Sequence, residues 1–251
     1  MRIARALALA GIASRRKCEV HILAGEVAVN GHIVQDLGRQ VDPGKDEIAF
    51  RGRPLRAQRP VYFILHKPAG YTTTASDPHA EKTVYELLPK NLKQGQTLQG
   101  QALGCLAPAR VFPVGRLDRD STGLLLFTND GEMANRLTHP RYEAGKRYEV
   151  KIDRPLDPRD RLRLLQGVRL EEGLARVEQV EVLSPQAIRL LLKEGKKREI
   201  RRMLHQLGYQ VTALSRIAFG PLRLANLTPG QGRHLTPAEV ADLRRAARLP
   251  V

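Results

Sequence analysis

The sequence predicts an α+β protein in two unequal parts, and three observations carry that expectation. Short apolar or alternating runs of strand length are interleaved with brief helical patterns along the whole chain. A basic segment punctuated by Pro and Gly, Arg51-Gly52-Arg53-Pro54-Leu55-Arg56-Ala57-Gln58-Arg59-Pro60, reads as a linker. The character of the chain then changes at Val61, where Val61-Tyr62-Phe63-Ile64-Leu65 has the pattern of a buried strand. The expected division is therefore residues 1–58 and 59–251.

The first part reads element by element. Residues 3–10 form a short alanine-rich helix stopped by Gly11, and Ser14 caps a second helix that runs to about Ala24 and stops at Gly25. Arg15, Arg16 and Lys17 crowd the first turn of that second helix, where cations oppose the helix dipole. A cluster that does not help the helix points to ligand contact, or to a plain solvated face. Asn30-Gly31 between Val27-Ala28-Val29 and His32-Ile33-Val34 is a hairpin signal, and a further strand falls near 47–50. So small a core suits a binding module.

In the second part, Tyr148-Glu149-Val150-Lys151-Ile152 alternates like a strand and 158–166 looks helical. Residues 175–182 and 187–192 form a strand pair through Ser184-Pro185. Residues 199–207 make an amphipathic helix with Ile200, Met203, Leu204 and Leu207 on one face. Residues 90–110, rich in Gln and Gly, read as an exposed loop.

The chain has 251 residues, 42 basic and 26 acidic, with a formal charge of +16. That excess favours a polyanionic partner, nucleic acid by default. Arginine outnumbers lysine 31 to 11, and its planar fork suits phosphate pairing and base stacking. Cys18 and Cys105 form no CxxC pair, and the seven histidines make no ligand cluster, so neither a disulfide framework nor a metal site is expected. A reducing cytoplasm is the expected compartment. No signal peptide is expected, no apolar run reaches membrane-spanning length, and with no self-association motif a monomer is expected.

The richest stretch is Gly115-Arg116-Leu117-Asp118-Arg119-Asp120-Ser121-Thr122-Gly123, followed by Leu124-Leu125-Leu126-Phe127 and the turn Asn129-Asp130-Gly131. It sets a carboxylate on a turn at the mouth of a buried strand, a place suited to chemistry or simply a solvated loop. Calcium is not expected there, because Asn129 stands where a bidentate Glu is wanted and four apolar residues fill the loop.

Three segments together resemble the pseudouridine synthases of the RsuA/RluB-type branch. These are Gly115-Arg116-Leu117-Asp118 with its Leu-Leu-Leu-Phe-Thr-Asn-Asp-Gly continuation; Thr138-His139-Pro140-Arg141-Tyr142 leading into Lys146-Arg147-Tyr148-Glu149-Val150; and Glu194-Gly195-Lys196-Lys197-Arg198-Glu199-Ile200-Arg201-Arg202-Met203. Lys67-Pro68 fits the domain's opening. Ala10-Gly11-Ile12-Ala13-Ser14-Arg15-Arg16 and 25–31 resemble the αL RNA-binding module of a small-subunit ribosomal protein, S-four. The resemblance implies an αL RNA-binding domain followed by a catalytic domain with a mixed, mainly antiparallel sheet and a central cleft.

It also implies chemistry and roles. Turning uridine into pseudouridine breaks an N-glycosidic bond and rejoins the base through C5, with no redox change, so no cofactor is needed. By resemblance Asp118 is the catalytic carboxylate, Tyr148 the active-site tyrosine, and Arg201 the counter-charge paired with Asp118. Arg116 holds RNA or fills the space left by an extruded base, and Arg15, Arg16, Lys17, Lys196, Lys197 and Arg198 are RNA-binding candidates. Lys67, His139 and Tyr142 rank second, and Asp120 serves the turn. His66 stands where the common pattern has Asn, and the 90–110 segment is an insertion. The expected partner is ribosomal RNA or a pre-ribosomal particle, large-subunit (23S) in preference to small-subunit (16S). The rival of another class is a non-catalytic ribosome-assembly protein.

Overall fold

The computed structural model describes residues 1–74, 81–92, 109–142 and 144–250. Most of the expected 90–110 loop, together with Cys105, lies outside the described residues. The chain divides into two compact units, one made of 1–61 with 89–112 and 128–131, the other of 62–88, 113–127 and 132–251.

In the first unit α1 (Ile3–Leu9) and α2 (Arg15–Leu23) pack with a four-stranded sheet of β1 (Val27–Val29), β2 (His32–Ile33), β3 (Ile48–Phe50) and β4 (Arg53–Pro54), in the order β2-β1-β3-β4. The Ser14 hydroxyl accepts the Lys17 N–H at 3.3 Å, capping α2. Asn30 (φ 51°) and Gly31 (φ 81°) make the expected left-handed two-residue hairpin turn. Ile3, Leu7, Cys18, Ile22 and Val27 are wholly buried, and burial pushes the Cys18 thiol up from its ordinary value.

The basic segment read as a linker is in part a strand. Arg51 (φ 49°) and Gly52 (φ 75°) turn the chain back, and Leu55 N–H donates to the Ile48 carbonyl at 2.8 Å. Pro54 is tolerated because β4 is the edge. Farther on, Asn129 accepts the Val61 N–H at 2.7 Å and donates to the Arg59 carbonyl at 3.0 Å.

The second unit holds a nine-stranded sheet. Its strands are β5 (Tyr62–Lys67), β6 (Phe112–Pro113), β7 (Thr122–Thr128), β8 (Lys146–Ile152), β11 (Gln179–Ser184), β12 (Ala187–Leu192), β13 (Val211–Phe219), β14 (Leu222–Arg223) and β15 (Gly232–His234). The order is β11-β12-β8-β13-β7-β5-β15, with β14 paired to β13 and β6 to β7. β7 and β13 run parallel, whereas β11–β12, β12–β8, β8–β13 and β5–β15 are antiparallel, so the sheet is mixed and mainly antiparallel.

Helices α3 (Gly131–Thr138), α4 (Pro158–Gln166), α5 (Glu199–Gln206) and α6 (Pro237–Ala246) complete the set. Ile200, Met203, Leu204 and Leu207 of the α5 region pack into a core with Val150, Ile188 and Leu190, as the helical spacing demands.

The expected strand pair is shorter than its pattern. Ala175 belongs to a separate hairpin of β9 (Val168–Leu170) and β10 (Gly173–Ala175), and β11 starts only at Gln179. Helix α6 carries a capping box, Thr236 accepting from Glu239 N–H at 3.2 Å while Glu239 accepts from Thr236 N–H at 2.9 Å.

Candidate active site

The turn that carries Asp118 is fixed from below by the end of β5 and the residues after it. Thr73 Oγ1 donates to the Leu117 carbonyl at 2.8 Å, and Gly70 N–H donates to the Arg119 carbonyl at 2.8 Å. Lys67 is wholly buried, and its Nζ donates to the carbonyls of Ser121 (2.7 Å), Asp118 (3.0 Å), Pro68 (3.1 Å) and Arg119 (3.3 Å). One ammonium thus gathers three carbonyls of the turn, those of Asp118, Arg119 and Ser121. Lys67, ranked second from sequence, is a positioning residue for Asp118.

Removing that amine takes a donor from each of these carbonyls, although Arg119 keeps the Gly70 N–H and Asp118 the Ser121 N–H. We expect Lys67→Met to lower stability by about 2–4 kcal/mol and, by displacing the Asp118 carboxylate, to lower turnover about 10²-fold. Urea denaturation and single-turnover rates check this; a variant with the wild-type rate would show that the turn holds its shape without the clamp.

Burial lowers the Lys67 pKa from 10.5 to about 8, against the pull of Asp120 and Asp118. Because the folded value lies below the unfolded one, the unfolded chain binds more protons between about pH 8 and 10.5. This group's contribution to stability therefore rises with pH across that window, having been unfavourable below it. The clamp behaves oppositely, since a neutral amine has fewer donors for the same carbonyls. Turnover should accordingly fall above about pH 8 with no parallel loss of melting temperature from Lys67. Turnover that tracks melting at every pH would contradict it.

Above this turn the second unit encloses a cavity of about 480 Å³. Asp118, Tyr148, Arg116, Lys196, Lys197 and Arg198 all line it. Sheet register explains the convergence. Lys146 and Tyr148 alternate on β8 and so share a face, and Arg216 of β13 is the cross-strand partner of Tyr148. Arg216 is in turn the parallel partner of Gly123, just beyond the Asp118 turn on β7. Asp118 is about one-third exposed, a carboxylate open to the cavity yet anchored through its backbone.

The expected pairing of Arg201 with Asp118 is not formed. Arg201 lies 3.1 Å from the Asp120 carboxylate and donates to the carbonyls of Val211 (3.1 Å) and Asp120 (3.3 Å). Arg198 stands closer to Asp118, at 3.9 Å, while donating to both Asp120 oxygens at 3.2 and 3.3 Å. Asp120 thus does more than serve the turn: it ties the Asp118 turn to the start of α5. Partial burial opposes its ionisation, but the Arg198 hydrogen bonds and the charges of Arg201 and Arg198 prevail and hold its carboxyl below the ordinary value. Arg198 has a left-handed backbone (φ 50°), which is uncommon outside glycine and recurs at functional sites.

Arg15, Arg16 and Lys17 are exposed on the first turn of α2, in the first unit, and do not line this cavity. Arg136 and Arg141 stack on the Tyr142 ring at 4.9 and 4.7 Å. His139 accepts the Arg141 N–H at 3.3 Å within the turn after α3. Three buried charged residues of the lining had no assigned role in the sequence: Lys146, Glu199 and Arg216. For Lys146 the signal was its spacing of two from Tyr148. Arg216 carried none, because only strand pairing brings it in.

A partly exposed carboxylate in one cavity with several cations and a tyrosine suits attack on, or proton removal from, a sugar bound through phosphates. Among the described residues no group of three or more His, Cys, Asp or Glu side chains could hold a metal ion, and no helix is long and apolar enough to cross a membrane.

Fold and site together define an RNA-modifying enzyme, and the chain belongs to the RNA pseudouridylate synthase family. The model of that family matches residues 61–206, and the S4 domain matches residues 1–48. The chain is 40% identical to an RNA pseudouridine synthase of Aquifex aeolicus, over 99% of this chain and 96% of that one. It is also 40% identical to the ribosomal large subunit pseudouridine synthase B of Bacillus subtilis, over 98% and 96%. A solved structure, the crystal structure of a pseudouridylate synthase, superposes with a TM-score of 0.66 at 27% identity, covering 97% of this chain and 99% of that chain.

Proposed function

We propose that this enzyme converts a specific uridine of large-subunit ribosomal RNA to pseudouridine, with Asp118 as its catalytic carboxylate. The observation that carries the reading is the single cavity in which Asp118 and Tyr148 meet the cations Arg116, Lys196, Lys197 and Arg198. Tyr148 is placed to stack on the uracil. The cations hold flanking phosphates, and Arg116 takes the space of the extruded base. The preference for the large subunit rests on the Bacillus subtilis relative.

Residues 1–58 are the RNA-binding domain, with Arg15, Arg16 and Lys17 as phosphate contacts, and 59–251 the catalytic domain. In place of an Arg201–Asp118 pair, Arg201 and Asp120 act together to brace the turn, and Arg198 supplies the positive charge beside Asp118.

Pseudouridine mapping in both ribosomal RNAs tests this in a strain lacking the gene, complemented with wild type or Asp118→Asn. One 23S position should lose its pseudouridine and regain it only with wild type. Loss in 16S RNA would move the substrate to the small subunit. An unchanged map, with growth restored equally by both versions, would favour an assembly role without catalysis.

A further inference from the structure

We propose that Lys146 and Arg216 form a uracil-carbonyl subsite that stabilises the negative charge on the base while its bond to ribose is broken and remade. The inference rests on the isomerase reading above and assigns the site that holds the leaving base.

The two side chains are 9% and 2% exposed, and both line the cavity that holds Asp118. They are set on one aromatic platform: Arg216 Cζ lies 5.1 Å, and Lys146 Nζ 5.7 Å, from the centroid of Phe219. Register puts them on the face of Tyr148, Arg216 opposite it and Lys146 two residues before it. Two cations buried side by side destabilise the empty fold, since each has lost water and they repel. Burial and Arg216 lower the Lys146 pKa to about 8, with Glu199 and Glu194 pulling the other way.

Their donors are only partly used. Lys146 Nζ donates to the carbonyls of Lys193 and Glu194, both at 3.3 Å, and Arg216 Nε donates to the Leu124 carbonyl at 2.8 Å. Arg216 Nη2 is buried and has no hydrogen-bond partner among the described residues. A buried donor without a partner costs about 1–3 kcal/mol, and at a catalytic cavity such a group is a candidate for substrate contact.

The reaction supplies a matching acceptor. When C1′–N1 breaks, its electron pair passes to the base and spreads over N1, O2 and O4. The base turns, C5 bonds to C1′, the C5 proton departs and N1 gains one, so the net change is an isomerisation. Turning about the axis through N3 exchanges O2 with O4 as it exchanges N1 with C5. A donor pair that grips one carbonyl before the turn therefore meets its equivalent afterwards, and the same cations serve both steps. Donors aimed at developing charge in a dry site are worth about 10²–10³-fold in rate each.

The test is single-turnover cleavage of the C1′–N1 bond in ribosomal RNA carrying either uridine or 5-fluorouridine at the target, read by nucleoside mass spectrometry. Fluorine makes the departing base a more stable anion, so it depends less on the cations. Lys146→Gln and Arg216→Lys should each slow uridine cleavage about 10²-fold and 5-fluorouridine cleavage markedly less, with RNA affinity within about twofold. Thermal melting separates folded variants from damaged ones, and either folded variant decides the matter. Equal slowing of both substrates, or a defect confined to RNA binding, would overturn the subsite. If wild type itself cleaves no uridine, the proposed function fails instead.

Discussion

Asp118→Asn should abolish isomerisation, by on the order of 10⁴-fold or more, and leave the fold and RNA binding intact. The asymmetry follows from how the residue is held. Its backbone carbonyl is what Lys67 grips, at 3.0 Å, and that contact is untouched by the substitution. The side chain faces the cavity and is 3.9 Å from Arg198, its one ion-pair contact among the described residues. Asn keeps the shape and removes the charge. Stability should change by less than about 1 kcal/mol, and affinity for ribosomal RNA, set by phosphate contacts, should stay within a few-fold. Filter binding and pseudouridine formation on the same RNA check both halves. A variant that isomerises at even a tenth of the wild-type rate would remove Asp118 from the chemistry.

The second large effect is on the fold. Gly123→Ala should destabilise the catalytic unit by more than about 4 kcal/mol, or prevent it from folding. A Cβ at this position would stand 2.3 Å from the Arg216 carbonyl oxygen, 2.5 Å from its nitrogen and 2.8 Å from its carbonyl carbon. All three are backbone atoms of the strand paired to β7, so no side chain can swing aside. Gly123 also has φ 108°, a conformation that suits only glycine. Separating β7 from β13 would move the Asp118 turn away from Arg216 and Tyr148 together. Gly31→Ala isolates the conformational part, because Gly31 has φ 81° with nothing within 4 Å of a built Cβ, and it should cost about 1–2 kcal/mol. Urea midpoints for the two variants should differ widely. Equal midpoints would mean that the strands can part without consequence.

Much of this was legible in the sequence wherever the determinant is local. Asn30-Gly31 dictated its hairpin, Ser14 its cap, and the spacing of Ile200, Met203, Leu204 and Leu207 the buried face of α5. Asp118 and Tyr148 were brought together by the resemblance of the ordered motifs and not by any local determinant: both line one cavity, yet the Asp118 turn is held by Lys67 and Thr73, and β8 pairs with strands far along the chain. What escaped depends on pairing across long separations. Arg51-Gly52 forms the same left-handed turn as Asn30-Gly31, but arginine is not a turn residue, so β4 was read as linker. The central strand β13 went unread because Ser215 and Arg216 break its apolar pattern, and only β7 and β8 on either side make Arg216 a buried residue. The partner of Arg201 was misread for a related reason. Asp118 and Asp120 are two residues apart, and only the direction of the turn decides which of them meets the guanidinium.

The most direct measurement is tritium release from C5-labelled uridine in large-subunit ribosomal RNA transcripts. Wild type should release tritium up to one equivalent per RNA, from a single position, while Asp118→Asn releases none and still binds. Release by both proteins, or by neither on free RNA and partly assembled particles alike, would contradict the assignment of Asp118 as the carboxylate of a ribosomal RNA isomerase.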